Sequence, residues 1–263
     1  MREWKKNREM MKSHFDSDAF AGEESDQTLG MKQPPLEIEP LPDSRIIDLP
    51  ESSAAELTEQ NIYKCFLKRK SRRKYSEESI SLKELSYMLW ATQGLKRIVP
   101  AYSMTGKATL RTVPSAGARH TFETYLAVND VTGLESGIYR YSALNHNIVF
   151  LFKIADMKKK LTEAAVGQSY VGRAPVIFLW ACKPYLGEWR YKGESHKAML
   201  LDAGHVCQNL YLAAESLNLG TVAIAAYSQN KVDELLRLDG NDEFIVYLAP
   251  VGKVENAYRH QHD

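Results

Sequence analysis

The sequence predicts an α+β fold, in which helices pack on a central sheet. The 263 residues are 44% hydrophobic and 25% charged, which is ordinary for one large domain or two small ones. Strand-like and long helical segments are mixed without strict alternation. Residues 174–182 form an apolar run typical of a strand covered on both faces. Residues 197–217 form the longest helical pattern, apolar almost all the way round, which predicts burial in the core or against a second subunit.

The N-terminal segment, residues 1–50, is predicted to be an extension to a domain at residues 51–263. A first helix is predicted from Trp4 to about Phe15. Five prolines between residues 33 and 50 fix φ and remove backbone donors, so they predict an extended strap over the domain surface. Partial disorder of the first fifty residues is the alternative. Neither a signal-peptide core nor an apolar run of membrane-spanning length is present, and we expect a soluble, cytoplasmic protein.

The remaining elements follow from local periodicity and from helix and turn signals. A helix is predicted over residues 56–70, and a second over 82–93, with Ser81 and Glu84 in a capping-box pattern and Gly94 as the stop. Residues 99–107 are expected to be a loop, and residues 186–196 a mobile lid. The other predicted elements are strands at 122–129, 174–182, 221–227 and 244–252, a hairpin of 137–141 with 147–151, and helices at 155–166, 197–217 and 231–238.

Charge and cysteine content restrict the class of function. Basic and acidic residues nearly cancel, 34 against 33, whereas a protein that lives on nucleic acid usually has a clearer basic excess. Cys65, Cys182 and Cys207 are odd in number and far apart, so neither a disulfide framework nor a structural zinc site is expected. Cys182 ends an apolar strand and is predicted to be an inert core thiol.

The segment 68–75 concentrates six cations in eight residues of a chain whose formal net charge is +1. Such a cluster repels itself, so a compensating anion is expected. A phosphate monoester suits it, because Arg69 and Arg73 can fork onto phosphate oxygens and Ser71 can donate from its hydroxyl and backbone. A solvated helix face and a nucleic-acid patch are the alternatives.

A second informative segment is residues 112–120, in which four consecutive small residues follow Pro114. Small side chains let the backbone approach a flat ligand closely, although an ordinary tight loop has the same composition. Common dinucleotide, phosphate-loop, zinc-protease and serine-hydrolase motifs are absent. Asp202 and His205 have the spacing of a metal-ligating pair, but a hydrogen-bonded pair is the commoner use, and no metal is predicted. The basic segment 68–75 and the small-residue segment 112–120 together suit a phosphorylated planar cofactor that itself carries out the chemistry.

These segments together resemble the FMN-dependent nitroreductase family. The run from Arg69 to Tyr75 resembles the family's R-x-S-x-R-x-[FY] opening. Residues 114–120 resemble the P-S-A-G-A-R-H run of its SagB-type branch, which includes azoline dehydrogenases. Residues 137–141 with His146, residues 201–210, 219–221 and 250–252 match later motifs, in the same order, over a region from about Pro50 to Lys253.

The resemblance implies an α+β, nitroreductase-like fold with a mostly antiparallel central sheet and flanking helices. It also implies an intertwined homodimer with one FMN in each of two interface sites. The implied phosphate and ribityl contacts are Arg69, Lys70, Ser71 and Arg73, with Lys253 as a looser match. The implied flavin contacts are Pro114, Ser115, Ala116, Gly117 and Ala118 from the other subunit, the backbone of Ala225 and Ala226, and Arg119 as a possible donor toward the ring.

The implied chemistry is ping-pong oxidoreduction at the flavin, with NAD(P)H as donor and a nitro, quinone or similar acceptor. Azoline dehydrogenases of the branch carry a Lys-Tyr pair where this chain has Arg190 and Tyr191. Arginine stays protonated near neutral pH and cannot act as a base, so Lys192 is the substitute candidate, and Tyr191, Arg190 and Lys192 are the candidate catalytic residues. Oxidation of a thiazoline or oxazoline peptide and a non-catalytic nucleic-acid or ligand-binding module remain as alternatives.

Overall fold

A seven-stranded sheet with helices on both faces forms the centre of the protein. The computed structural model describes residues 3–13, 24–101 and 106–254. The strand order is β1-β6-β5-β4-β7-β9-β8, and every pairing in it is antiparallel. This confirms the predicted α+β class with a mostly antiparallel sheet. The strands are β1 (Arg45–Asp48), β4 (Phe122–Val128), β5 (Gly137–Ser142), β6 (Asn147–Phe152), β7 (Val176–Cys182), β8 (Leu219–Thr221) and β9 (Phe244–Lys253).

Five of the seven α-helices in the described parts of the chain cover the two faces of this sheet. Side chains of α2 and α6 share one buried cluster with one face, and side chains of α3, α4 and α7 share a second cluster with the other. Along β4, Phe122 and Leu126 belong to the first cluster, while Tyr125 and Ala127 belong to the second, as strand alternation requires. The helices are α1 (Ile62–Lys68), α2 (Leu82–Gln93), α3 (Met157–Ala164), α4 (Ser169–Arg173), α5 (Tyr185–Tyr191), α6 (Ser195–Ser216) and α7 (Gln229–Leu236).

Helix α2 forms where its sequence predicts it. The Ser81 hydroxyl accepts from the Glu84 N–H, and the Glu84 carboxylate accepts from the Ser81 N–H, so the capping box is complete. Gly94 is the C-cap, and its N–H donates to the carbonyl of Trp90. Local capping chemistry therefore sets both ends of the helix.

Several predicted boundaries are wrong for identifiable reasons. The helix predicted over residues 56–70 begins only at Ile62, because the Asn61 side chain accepts from two backbone N–H groups and caps α1. The helix predicted from residue 4 is a 3₁₀ helix at Glu3–Met11, and residues 14 and 15 lie outside the described parts. Residues 221–227, predicted as a strand or as a strand followed by a loop, contain only the last residue of β8 and one isolated bridge from Ile224 to Leu248.

Two other segments have more structure than the sequence predicts. Residues around the predicted loop 99–107 form a separate two-stranded sheet, β2 (Leu95–Pro100) with β3 (Lys107–Arg111). The predicted lid contains α5 and a 3₁₀ helix at Lys192–Glu194. Both segments are polar, so their hydrophobic periodicity is too weak to show this order.

The proline-rich strap is non-helical and packs on the sheet, as predicted. Glu37 accepts from the Ser142 hydroxyl and from the N–H groups of Ala143 and Leu144, at the turn between β5 and β6. Arg140 donates from Nη2 to the carbonyl of Ile38. The same N-terminal segment supplies β1, which pairs with β6 at the sheet edge. The predicted boundary at residue 50, between an N-terminal extension and the main domain, stays a prediction.

Candidate active site

The basic segment has a fixed backbone between α1 and α2. Ser71 forms an isolated parallel bridge with Thr221 of β8, and the N–H of Arg72 donates to the Thr221 carbonyl at 2.9 Å. Gly220 permits this approach, because a Cβ there would lie 2.9 Å from Cβ of Arg72. The segment is therefore held against the edge strand of the main sheet.

Tyr211 of α6 holds two of the predicted phosphate-binding residues. Its hydroxyl lies 2.9 Å from the hydroxyl of Ser71, and its ring lies 5.2 Å from the guanidinium carbon of Arg69. The same hydroxyl accepts from the N–H of Ala223 at 2.9 Å, which fixes its position. Sequence reasoning missed Tyr211, and no local pattern reveals a contact across 140 residues.

Three cations of the basic segment lack an acidic partner within the described chain. Arg72 has such a partner, since its Nη2 lies 3.7 Å from Glu215, a carboxyl whose pKa burial raises despite Arg72. Arg69 is half-buried, whereas Lys70 and Arg73 are exposed, and none of these three forms an ion pair with any described residue. Cations without ion pairs, on either side of Ser71 in the chain, suit a phosphate dianion.

Lys253 is directed to a carboxylate of the protein. Its Nζ lies 3.0 Å from Oε1 of Glu84, the residue that also closes the capping box of α2. Its backbone carbonyl accepts from the N–H of Ser76, so β9 is tied to the end of the basic segment. Lys253 thus lies near the segment, with its charge already paired.

The small-residue loop, residues 114–118, forms a tight turn docked on α6. Ala116–Ala118 is a 3₁₀ turn, and the N–H of Ala116 donates to Oδ2 of Asp202 at 2.9 Å. The Ser115 hydroxyl accepts from the N–H of His120. Pro114 is exposed, and the other four residues are half-buried. The carboxylate of Asp202 therefore anchors the loop, which the sequence suggested only as a metal or hydrogen-bonding candidate.

Gly117 brings this loop against two of the candidate catalytic residues. It has φ +58°, and a Cβ there would lie 2.6 Å from the Tyr191 hydroxyl and 3.1 Å from Cδ of Arg190. The Arg190 guanidinium lies 5.1 Å from the Tyr191 ring centroid and 3.5 Å from the Gly117 carbonyl oxygen. Lys192 follows at the end of α5 with φ +54°, and its carbonyl accepts from the Ser195 hydroxyl. The structure thus brings Gly117, Arg190 and Tyr191 together.

Arg119 points toward α5. Its Nε donates to the carbonyl of Leu186 at 2.7 Å, and its guanidinium carbon lies 4.9 Å from the ring of Trp189. Burial and the neighbouring Arg190 lower the pKa of Arg119 to about 10, so it stays charged at neutral pH. Its contacts fix the loop to α5 and occupy Nε.

Ala225 and Ala226 lie exposed between β8 and α7. The carbonyl of Ala226 accepts from Nε2 of Gln168 at 2.8 Å. Neither residue has a side chain beyond Cβ that could shield the backbone of the segment. They follow the Ala223 contact to Tyr211, so they lie on the chain segment next to the basic cluster.

The two halves of the candidate site both dock on α6. Tyr211 contacts the basic segment and Asp202 contacts the small-residue loop, nine residues apart, or about 13 Å along the helix axis. His205 lies 3.6 Å from Asp202. No group of three metal-ligating side chains occurs among the residues that the structure describes.

Cys182 is a core thiol at the end of β7, as predicted. It is buried, and burial raises the pKa of its thiol to about 12. Its Sγ lies 3.5 Å from the sulfur of Met199. A protonated thiol in this environment is not a nucleophile at neutral pH.

Comparison with known proteins identifies relatives over most of the chain. A family model described as the nitroreductase family matches residues 67–253. The chain is 33% identical over 206 residues to the candidate nitroreductase MJ1384 of Methanocaldococcus jannaschii, covering 78% of this chain and 98% of that protein. It is 31% identical over 156 residues to the trifolitoxin-processing protein TfxB of Rhizobium leguminosarum bv. trifolii, covering 58% of this chain and 42% of TfxB.

One solved structure combines high coverage of both chains with the same fold. It is the crystal structure of a candidate nitroreductase from Ralstonia eutropha, and the matched region covers 81% of this chain and 90% of the chain in that structure. The two share 26% sequence identity, and the TM-score is 0.61. In the described ranges, no helix of this chain is both long and apolar enough to cross a membrane.

Proposed function

The chain belongs to the nitroreductase family, and we propose that it is an FMN-dependent enzyme that reduces a nitro, quinone or similar acceptor with NAD(P)H. The observation that carries the proposal is that Tyr211 holds both Arg69 and the Ser71 hydroxyl, while Arg69, Lys70 and Arg73 form no ion pair with any described residue. This cluster suits the phosphate of FMN in charge and in donor geometry. The family membership supports the oxidoreductase class.

The residues that hold FMN in this proposal fall into two groups. Arg69, Lys70, Ser71 and Arg73 bind the phosphate end, and the backbones of residues 225–226 and, from the other subunit, of residues 114–118 approach the ring. Bound FMN supplies the electron transfer between donor and acceptor. The chain itself orients the ring through Asp202, which fixes the small-residue loop, and limits access through Arg190 and Tyr191, which pack on Gly117.

Absorbance of the purified full-length protein tests this proposal. We expect a yellow protein, or one that becomes yellow with added FMN, and bleaching of the flavin band when NADH or NADPH is added without oxygen. Reoxidation by a panel of nitroaromatics and quinones then identifies the acceptor class. A protein that takes up no FMN would contradict the proposal.

A second candidate function is oxidation of an azoline-containing peptide, and the similarity to TfxB favours it. In this reaction the peptide ring loses two hydrogens to the flavin. Arg190 stands where the azoline dehydrogenases of the branch carry lysine, which argues against the same base. Incubation with a thiazoline peptide and mass spectrometry separates the two candidates, because only azoline oxidation produces a thiazole.

We also propose that two copies of the chain form the active protein. Helix α6 has an exposed stripe at Leu201, Gly204, His205 and Gln208, although the sequence pattern predicted burial on every side. Helix α1 presents an apolar surface, with Ile62, Tyr63, Phe66 and Leu67 all more than half exposed. In this proposal a second subunit covers the apolar surface of α1 and the exposed stripe of α6.

Replacement of Leu201 by lysine is expected to produce monomers that retain little FMN. The side chain is 58% exposed in the single chain, so a lysine there leaves the fold intact but puts a charge into the proposed interface. Analytical ultracentrifugation with a flavin spectrum measures both effects. Ile46→Lys is the matched control, since Ile46 is 47% exposed on β1, outside both surfaces. A yellow dimer of Leu201→Lys would exclude this interface.

A further inference from the structure

A large cavity lies between the N-terminal strap and the main domain. Its volume is about 1430 Å³, and its walls come from strap residues 32–39, the ends of β7 and β9, α5 and α6. None of the residues proposed to hold FMN lines it. Its walls are mainly apolar, including Ile38, Leu186, Met199, Leu200, Phe244 and Val246. This is the composition of a small-molecule site separate from the flavin cleft.

Glu123 of β4 is a carboxyl of the cavity wall to which no described residue donates a hydrogen bond. The residue is only 6% exposed, and it lines the cavity. Its carboxyl makes no hydrogen bond with any residue in the described parts of the chain. A buried carboxyl without a donor is costly, and such groups in native proteins commonly mark a binding function.

The other acidic groups of the cavity are already paired or lie in solvent. Glu37 accepts from the β5–β6 turn, and Glu188 lies 2.7 Å from His196. Glu39 and Asp242 are exposed at the rim. Carboxylates outnumber the cations of the lining, so the cavity favours a positive ligand over a negative one.

We propose that this cavity binds an organic cation with an apolar body, an alkyl or arylalkyl amine, whose ammonium group pairs with Glu123. The apolar walls bury the body of such a ligand, and the ammonium supplies the donors that the Glu123 carboxylate lacks. The strap covers the bound molecule, since Glu37 and Ile38 hold it to the sheet. The site is independent of FMN binding.

The protonation of Glu123 makes binding depend on pH. Burial and then Glu37 raise its pKa to about 7, with Glu243 acting in the same direction, while Arg140 and Lys183 oppose the shift. An ammonium ligand favours the ionised carboxylate, so binding at pH 7 releases a proton from the protonated fraction. Affinity is therefore expected to rise as pH increases from about 6 to 8. The charged groups facing the carboxyl from neighbouring elements are Glu37, Arg140, Lys183, Glu243 and Arg111.

Calorimetric titration with phenylbutylamine, phenylbutanol and phenylbutyrate tests the proposal on the full chain. These probes share one apolar body and differ in charge. We expect the amine to bind most tightly, and Glu123→Gln to weaken it at least about tenfold without changing the affinity for the alcohol. Titration in buffers of different ionisation enthalpy is expected to show proton release for the wild type and none for Glu123→Gln.

Variants at the rim and the wall of the cavity keep the test from depending on whether Glu123→Gln folds. Glu39→Gln is the matched control, because an exposed carboxylate contributes little, and it is expected to bind the amine normally. Leu200→Lys places a positive charge, like that of the amine, at the cavity wall and is expected to weaken amine binding. Leu200→Gln adds no charge and is expected to leave amine binding unchanged. Tightest binding of phenylbutyrate, equal binding of amine and alcohol, or an unchanged amine affinity in Glu123→Gln would overturn the proposal.

Discussion

Protein in which Arg69 and Arg73 are both replaced by alanine is expected to purify without colour. Each arginine offers charge-assisted donors to a phosphate, and each such contact contributes about 1.5–3 kcal/mol. Loss of both is expected to weaken FMN binding by roughly a hundredfold or more. Fluorescence titration of the apoprotein with FMN measures the change. Because Arg73 is exposed and Arg69 rests on the Tyr211 ring, the fold is expected to remain.

Arg97→Ala is the matched control for this experiment. Arg97 is an exposed arginine on β2, away from the basic segment, so its loss removes one charge without touching the proposed site. The control also separates a specific contact from a general loss of positive charge. Unchanged FMN content in the double variant would remove the basic segment from the cofactor site, whatever the activity of the protein.

Gly117→Ala is expected to reduce kcat/KM by at least about tenfold, because small displacements in an active site carry large losses in rate. The new Cβ would lie 2.6 Å from the Tyr191 hydroxyl, so Tyr191 and Arg190 must move away from the loop. FMN affinity is expected to change far less, since Gly117 is not among the residues proposed to bind the phosphate, and its loop is anchored at Asp202 rather than at Tyr211. Steady-state kinetics and FMN titration on the same protein measure both quantities.

Gly133→Ala separates the contact from backbone strain. Gly133 also has a positive φ, +87°, but a Cβ there meets no atom within 4 Å. Both variants carry the strain of a left-handed alanine, roughly 1 kcal/mol. Only Gly117→Ala displaces Tyr191. Equal activity in the two variants would show that the packing of Arg190 and Tyr191 on the loop has no part in the reaction.

Local chemistry accounts for the parts of the fold that the sequence predicted well. The capping box at Ser81 and Glu84 identifies the start of α2. Apolar runs identify β4, β7 and β9, since these strands are buried between the two helical layers. The hairpin of β5 and β6 follows from its alternation and its turn residues.

Long-range contacts account for the parts of the candidate site that the sequence could not supply. The motifs indicated Arg69, Ser71 and Gly117, because cation clusters and small-residue runs are visible locally. The structure adds Tyr211 and Asp202, which belong to one helix but contact segments far away in the chain. It also pairs Lys253 with Glu84, a contact between residues 169 positions apart that no spacing rule predicts.

The docking of Glu37 at the β5–β6 turn has a kinetic consequence. Its contacts with residues 142–144 span 105 to 107 positions, and β1 reaches β6 over a similar distance. Closing such long loops is entropically slow compared with forming the hairpin of β5 and β6. During refolding, the hairpin of β5 and β6 is therefore expected to gain hydrogen-exchange protection early. The strap around Glu37 and strand β1 are expected to gain it in the last phase.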